Sequence, residues 1–192
     1  MRPAFNFEPK YRVTMLTMEE WIRGNGTAPV VKGLVWFTDG SRMEGTGVGV
    51  YGQSAGRRLG FSLGRYATVF QAEIYLILAC AHEIQFQGRP EKHVISCSDS
   101  QVALEALQTF TTTSQLVQQC QKALNCIFTR HAVRLYWVPK HAGLRGNEIA
   151  NELARGGSAL KFVGPEPALG VSRHDIRKRI RRWLVNQHWV WW

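Results

Sequence analysis

What this chain lacks narrows its function before any motif is read. No apolar run in its 192 residues approaches the ~18 that a membrane-spanning helix requires. Its start, MRPAFNFEPKYRV, has neither the basic opening nor the apolar core of a secretory signal. A cytosolic or nuclear setting with no membrane partner is therefore expected. Cysteine is sparse: Cys80, Cys97, Cys120 and Cys126 form no CxxC pair and have no histidine at zinc-ligand spacing. Cys80 and Cys97 lie in apolar segments, so reduced, buried thiols are expected. Acidic residues are scarce too, 14 against 24 Lys and Arg, for a net charge of +10. Such an excess suits a polyanionic partner, nucleic acid first. Residues 161–192 carry half of that charge, with seven basic residues against Glu166 and Asp175. No internal repeat or low-complexity tract is present.

What is there reads as one globular domain with extensions, since 45% of residues are hydrophobic and 20% charged. Residues 1–30 read as a leader of weak structure with a short helix near Met18–Arg23. Gly24-Asn25-Gly26 and Pro29 then form a flexible link to the core. Val31–Thr38 reads as a buried strand, Thr46–Tyr51 as a Gly-rich second and Arg57–Leu63 as a third, joined by short turns into an antiparallel meander. Phe70, Ile74, Ile77, Leu78, Ala81 and Ile84 recur at helical spacing, which predicts a long helix over Thr68–Gln87. His93–Ser98 follows as a strand, then helices over Ser100–Phe110 and Ser114–Thr129, broken at Thr111-Thr112-Thr113. Ala132–Val138 is a fifth strand, with Val133, Leu135 and Trp137 on one face. A last core helix, Leu144–Arg155, is expected to stop at Gly156-Gly157.

The order is β-β-β-α-β-α-α-β-α. It implies a mixed five-stranded α/β sheet, an antiparallel meander plus parallel strands, with helices on both faces. Beyond it, Pro165, Pro167 and Gly170 mark a linker. Ser172 and Asp175 resemble a helix cap with its reciprocal acid. Ile176, Ile180, Trp183 and Leu184 then oppose Arg177, Lys178, Arg181 and Arg182 on a basic amphipathic helix that can bind nucleic acid, lie on a membrane or dock its apolar face on the core, the last being slightly favoured. The exposed aromatic ending, Trp189 to Trp192, suggests a piece of a longer polypeptide. The expected division is 1–30 leader, 31–158 core domain and 159–192 basic, Trp-rich extension.

Three acids sit oddly in this scheme. Asp39 ends the first strand, within Leu34-Val35-Trp36-Phe37-Thr38-Asp39-Gly40-Ser41, and read alone it is a turn residue. Asp99 follows the fourth strand, where it can also cap the next helix. A right-handed crossover makes those strands parallel neighbours and brings the two acids side by side. Glu73 falls beside the sheet-facing stripe of the long helix, where ionised acids are rare unless paired. Arg65 could satisfy it, or a divalent cation could satisfy all three. Hard oxygen ligands of this kind suit magnesium or manganese. His141 sits on a short loop with Gly143, where an imidazole suits proton transfer near neutrality.

Taken together, Thr38-Asp39-Gly40-Ser41, Gln71-Ala72-Glu73, Ser98-Asp99-Ser100 and His141-Ala142-Gly143, followed by Asn147-Glu148 and Glu152-Leu153-Ala154-Arg155, resemble type 1 ribonuclease H domains. The likeness covers roughly Val31–Ser158 and looks most like the version at the end of non-LTR (LINE-type) retrotransposon polyproteins, where the domain follows a reverse transcriptase. It implies an endonuclease that cuts the RNA strand of an RNA–DNA hybrid using two Mg2+ ions, with Mn2+ as a substitute. Asp39, Glu73 and Asp99 are then metal ligands and His141 a proton carrier. Gly40, Ser41 and Ser100 are candidates to contact the RNA backbone, whose 2′-hydroxyls line a wide minor groove.

Two departures follow from the same comparison. The family's fourth acid falls on Asn151, an amide, and Glu148 lies one helical turn earlier on a similar face. Lys140 replaces the usual glycine before the histidine, which stiffens the loop or adds a phosphate contact. Little room separates Phe110 from Ser114 for the basic helix some relatives use to hold the hybrid, and the basic C-terminal helix is a candidate replacement. The alternative reading is a hybrid-binding module weakened in catalysis at Asn151. A third, some other nuclease or integrase built on this sheet, is disfavoured by the His141 loop and the Glu73 motif.

Overall fold

Strand β3 (Leu34–Arg42) organises the molecule because it pairs on both edges but for different lengths. These relations come from a computed structural model that describes residues 4–5, 9–24, 33–87, 92–160, 169 and 173–190. In chain order the elements are β1 (Ala4–Phe5), β2 (Arg12–Thr14), α1 (Met18–Arg23), β3, β4 (Thr46–Gly52), β5 (Arg57–Ser62), α2 (Val69–Gln87) and β6 (His93–Ser98). There follow α3 (Gln101–Gln108), β7 (Thr111–Thr112), α4 (Gln115–Phe128), β8 (Ala132–Trp137), α5 (Arg145–Ala159) and α6 (Arg173–Val190).

The expected mixed sheet is present, with one strand more than the five predicted. Its order is β2-β8-β6-β3-β4-β5. Strands β2, β8, β6 and β3 run parallel, while β3, β4 and β5 form the antiparallel meander. The extra strand comes from the leader, where Arg12, Val13 and Thr14 pair with Arg134, Leu135 and Tyr136 of β8. Three residues carry too little periodicity to read as a strand. Pairing to an existing edge supplies the hydrogen bonds that make them one. The helix expected near Met18–Arg23 forms, and a capping box between Thr17 and Glu20 closes its first turn. Thr111-Thr112, expected only to break two helices, instead pairs with β1.

Residues alternate across each strand, so the sheet buries two different faces. Leu34, Trp36, Val48, Val50, Val94, Val133 and Leu135 pack beneath Ile74, Ile77, Leu104 and Leu124 on the α2–α4 side. Phe37, Ile95 and Cys97 face the other way, with Ala150 of α5, Val138 and Trp21. Cys80, Cys97 and Cys120 are reduced and buried, and Cys126 is free and exposed.

Two boundaries and one docked face differ from expectation. Strand β3 does not end at Thr38 but runs to Arg42, because β4 goes on pairing with it through Arg42 and Thr46 after β6 has stopped at Ser98. Helix α5 continues through Gly156-Gly157 to Ala159, and Gly157 is buried against the Phe61 backbone, where a side chain would collide. Its glycine serves close approach rather than termination. Finally, α6 does not dock its apolar face. Ile176, Ile180, Trp183 and Leu184 are 45–60% exposed. Ser172 of the expected cap, the link at 25–32, the linker residues Pro165, Pro167 and Gly170 and the final Trp191-Trp192 lie outside the described residues. No helix among the described residues is long and apolar enough to cross a membrane.

Candidate active site

The unequal pairing of β3 builds the site. Thr38 opposes Ser98 of β6 on one side, and there that neighbour ends. Asp39, the next residue, is still held by Gly49 of β4 on the other side. Its carboxylate is thus inside a strand yet at the open end of the parallel half, where α/β sheets gather ligands. Asp99 leaves β6 at that same end. The Trp137 indole N–H donates to its backbone carbonyl at 3.1 Å. Asp99 is not the cap of α3, as it could have been. Ser100 fills that role, its hydroxyl accepting from the Ala103 N–H at 3.3 Å.

Glu73 arrives from the first turns of α2 and is 1% exposed. Arg65 does not satisfy it, since that guanidinium donates to the Tyr66 hydroxyl at 2.8 Å. Instead the Gly40 N–H donates to Glu73 Oε1 at 2.6 Å and the Ser98 hydroxyl to Oε2 at 3.1 Å. Gly40 eases that approach, because a Cβ there would lie a tight 3.1 Å from both the Ala72 Cβ and Glu73 Oε1. Asp39, Glu73 and Asp99 each offer an oxygen, and these oxygens lie within 4.8 Å of one another.

Their electrostatics follow from that crowding. Burial, then the Asp99 charge, push Asp39 up to about 7, against a downward pull from Lys140 and Arg155. Burial, then Asp99 and Asp39, raise Glu73 to about 8. Asp99 is raised by burial, while Lys140, its ion-pair partner at 3.7 Å, opposes the rise. Both Asp39 oxygens and Asp99 Oδ2 are buried with no hydrogen-bond partner. A buried carboxylate without a donor is costly unless it is protonated or bound to a cation. The donor set therefore fits a divalent metal, with hard oxygens at one point and two of them free.

The remaining expected residues surround this point. His141 is exposed on the loop between β8 and α5, close enough for its positive charge to lower Asp99. Its φ of 59° is the one positive value at a non-glycine among the described residues. For an L-residue that conformation costs roughly 1–2 kcal/mol. Asn151 is half-buried on α5, beside Ala150, whose carbonyl presses on Gly49 across from Asp39. Glu148 is exposed. Ser41 and Ser100 are half-buried at the rim. The Gly40 N–H is committed to Glu73 and is not free to meet RNA.

Three residues belong to the site beyond those expected to act. Ser98 holds Glu73, Lys140 neutralises Asp99 and Arg155 reaches Asp39 by charge. Asn147, one turn before Asn151, is 4% exposed with its Oδ1 unpartnered. Ser98 and Arg155 stand within the sequence motifs and Lys140 directly before one, but only distance in space reveals their targets.

The family model for RNase H matches residues 31–159. This chain belongs to the RNase H family. Membership implies a hydrolase that acts on the RNA of RNA–DNA hybrids and works with divalent metal ions. The RNase H match spans β3 to α5 and therefore includes all three clustered acids, His141 and Asn151. A search of curated proteins finds no match to the chain.

Proposed function

We propose that this chain is an endoribonuclease that hydrolyses the RNA strand of RNA–DNA hybrids with two Mg2+ ions. We further propose that it derives from the end of a non-LTR retrotransposon polyprotein carrying a reverse transcriptase, with residues 31–158 as its catalytic domain. The observation that carries the reading is the cluster of Asp39, Glu73 and Asp99, with one oxygen from each within 4.8 Å of the others and both Asp39 oxygens buried without a hydrogen-bond partner. Asp39 is the central ligand, Glu73 and Asp99 flank it, and the Asn151 amide oxygen is a weak fourth. When bound, two such ions activate water and stabilise the leaving oxygen of a phosphodiester.

The chain's own groups do the rest. The Gly40 N–H and the Ser98 hydroxyl hold Glu73 in one rotamer. Lys140 tempers the negative charge at Asp99 before a cation arrives. The His141 imidazole carries a proton at the rim, and Ser41 and Ser100 contact the RNA backbone. Basic side chains supply salt-dependent, sequence-independent affinity. A labelled hybrid incubated with Mg2+ tests this. We expect internal cuts in the RNA strand alone, abolished by Asp39→Asn. Cleavage that survives that change sinks the reading.

The Asn151 amide favours a second reading, a hybrid-binding module without turnover. That reading requires hybrid affinity that falls with salt, no Mg2+-dependent cleavage, and activity gained on Asn151→Asp.

A further inference from the structure

The RNase H match begins at residue 31, yet residues 9–24 are built into the same body as the site. The Tyr11 hydroxyl donates to the Leu107 carbonyl at 2.6 Å, and the Lys10 N–H donates to Asn125 Oδ1 at 2.9 Å. Strand β2 then runs parallel to β8. Parallel strands release their following residues at the same end of a sheet. Helix α1 therefore emerges where β8 emits the loop 138–144, which carries His141. Trp21 of α1 is 5% exposed and shares a core cluster with Val138, against which Ala142, Leu144 and Leu16 also pack.

The histidine between those anchors holds a left-handed backbone, φ 59°. Strained φ/ψ values persist only where the surroundings over-determine them. The loop's own apolar supports are one buried valine, Val138, a buried Pro139, and the half-buried Ala142 and Leu144, and its polar ties are the Val138 N–H to the Ser98 carbonyl at 3.0 Å and the Lys140–Asp99 ion pair at 3.7 Å. Trp21 adds a buried indole to the cluster that holds Val138 and against which Ala142 and Leu144 pack.

We propose that the N-terminal arm, residues 9–24, is a working part of the active site, with Trp21 as the positioning residue that holds the His141 loop in its strained conformation. The proposal rests on the ribonuclease reading for the role of His141, but not for the placement of the loop. It makes the arm more than an edge cover. Without Trp21 the domain keeps its acid cluster and loses the fixed direction of its proton carrier.

The test compares full-length Trp21→Ala, Trp21→Phe and Leu124→Ala. The last empties an equally buried site in the opposite cluster and controls for general destabilisation. Backbone 15N order parameters are measured at 141–144 and in β3 and β6. In Trp21→Ala we expect the loop to fall from ~0.85 to below ~0.6 while the strands stay rigid, with Trp21→Phe between. On hybrid substrate, kcat falls about tenfold with KM within about twofold, and the loss disappears in a His141→Ala background. A loop that stays ordered in Trp21→Ala overturns the proposal. So does a loss that multiplies with that of His141→Ala, or one that Leu124→Ala reproduces. If the wild type cuts no hybrid, the ribonuclease reading fails, and the order parameters still decide whether Trp21 holds the loop.

Discussion

The two faces of the central sheet are packed by opposite means. On the α2–α4 face, large side chains interlock: Leu34 and Trp36 of β3 with Ile74, Ile77 and Leu104. On the α5 face, beside a smaller side-chain cluster, the closest contacts are made by glycine backbone. Gly47 and Gly49 of β4 lie under the Ala150 and Ala154 backbone, and Gly146 of α5 lies on the Phe37 ring, each with no space for a Cβ. Side-chain packing tolerates repacking, because rotamers can shift. Backbone contact has no such freedom. The difference teaches why α5 must hold Asn151 and Arg155 in one place relative to Asp39.

The largest break in that comparison comes from Gly49→Ala, which would drive a methyl group into the Ala150 carbonyl and Ala154 N–H. We expect a loss of about 3 kcal/mol, at the upper end of overpacking costs, read from the urea midpoint. On the other face, Ile77→Val should cost only about 1 kcal/mol. Equal losses would remove the distinction between the two faces.

Next in size is the pH response of the metal-free protein. Asp39 and Glu73 keep their protons to about 7 and about 8, well above their unfolded values near 4. The folded state therefore binds more protons between those limits, and the stability these two groups contribute is fully present below about pH 4 and lost as pH rises toward 8. Melting temperature should fall over that window, less steeply in Asp39→Asn, and Mg2+ should restore most at the alkaline end. A metal-free melting curve that is flat from pH 5 to 8 contradicts the buried, unpaired state of these acids.

A smaller effect is expected where the glycine-seated helix meets the acids. Asn151→Asp adds a charge to the site, and a gain of ~1.4 kcal/mol in transition-state binding would raise kcat/KM roughly tenfold. Single-turnover cleavage reads it. An unchanged rate places Asn151 outside the working ligand set. The smallest effect belongs to α6. Ile180 is 52% exposed and packs against neither face, so Ile180→Ser should change stability by less than about 0.5 kcal/mol. A larger loss in thermal melting would mean that the helix docks after all.

Much of this molecule is legible in one dimension. Strands β3 to β6 and β8 and helices α2 to α5 follow from local period, because the alternation that buries a face is written residue by residue. The identities of Asp39, Glu73, Asp99 and His141 as oddly placed polar groups were legible for the same reason. Other features depend on partners distant in the chain. Whether Asp39 ends a strand or lies inside one was decided by how far β4 pairs beyond β6. Whether Glu73 meets Arg65 or the Gly40 N–H was decided by the seat of α2 on β3. Arg12–Thr14 became a strand only because β8 presents an unpaired edge. Gly156-Gly157 reads as a stop, yet Phe61 turns it into a seat. Composition and period therefore specify which residues must be buried or bound, since those are costs each residue carries wherever it sits. What satisfies them is a matter of close approach between segments 30 to 120 residues apart, and only the packed sheet supplies that approach.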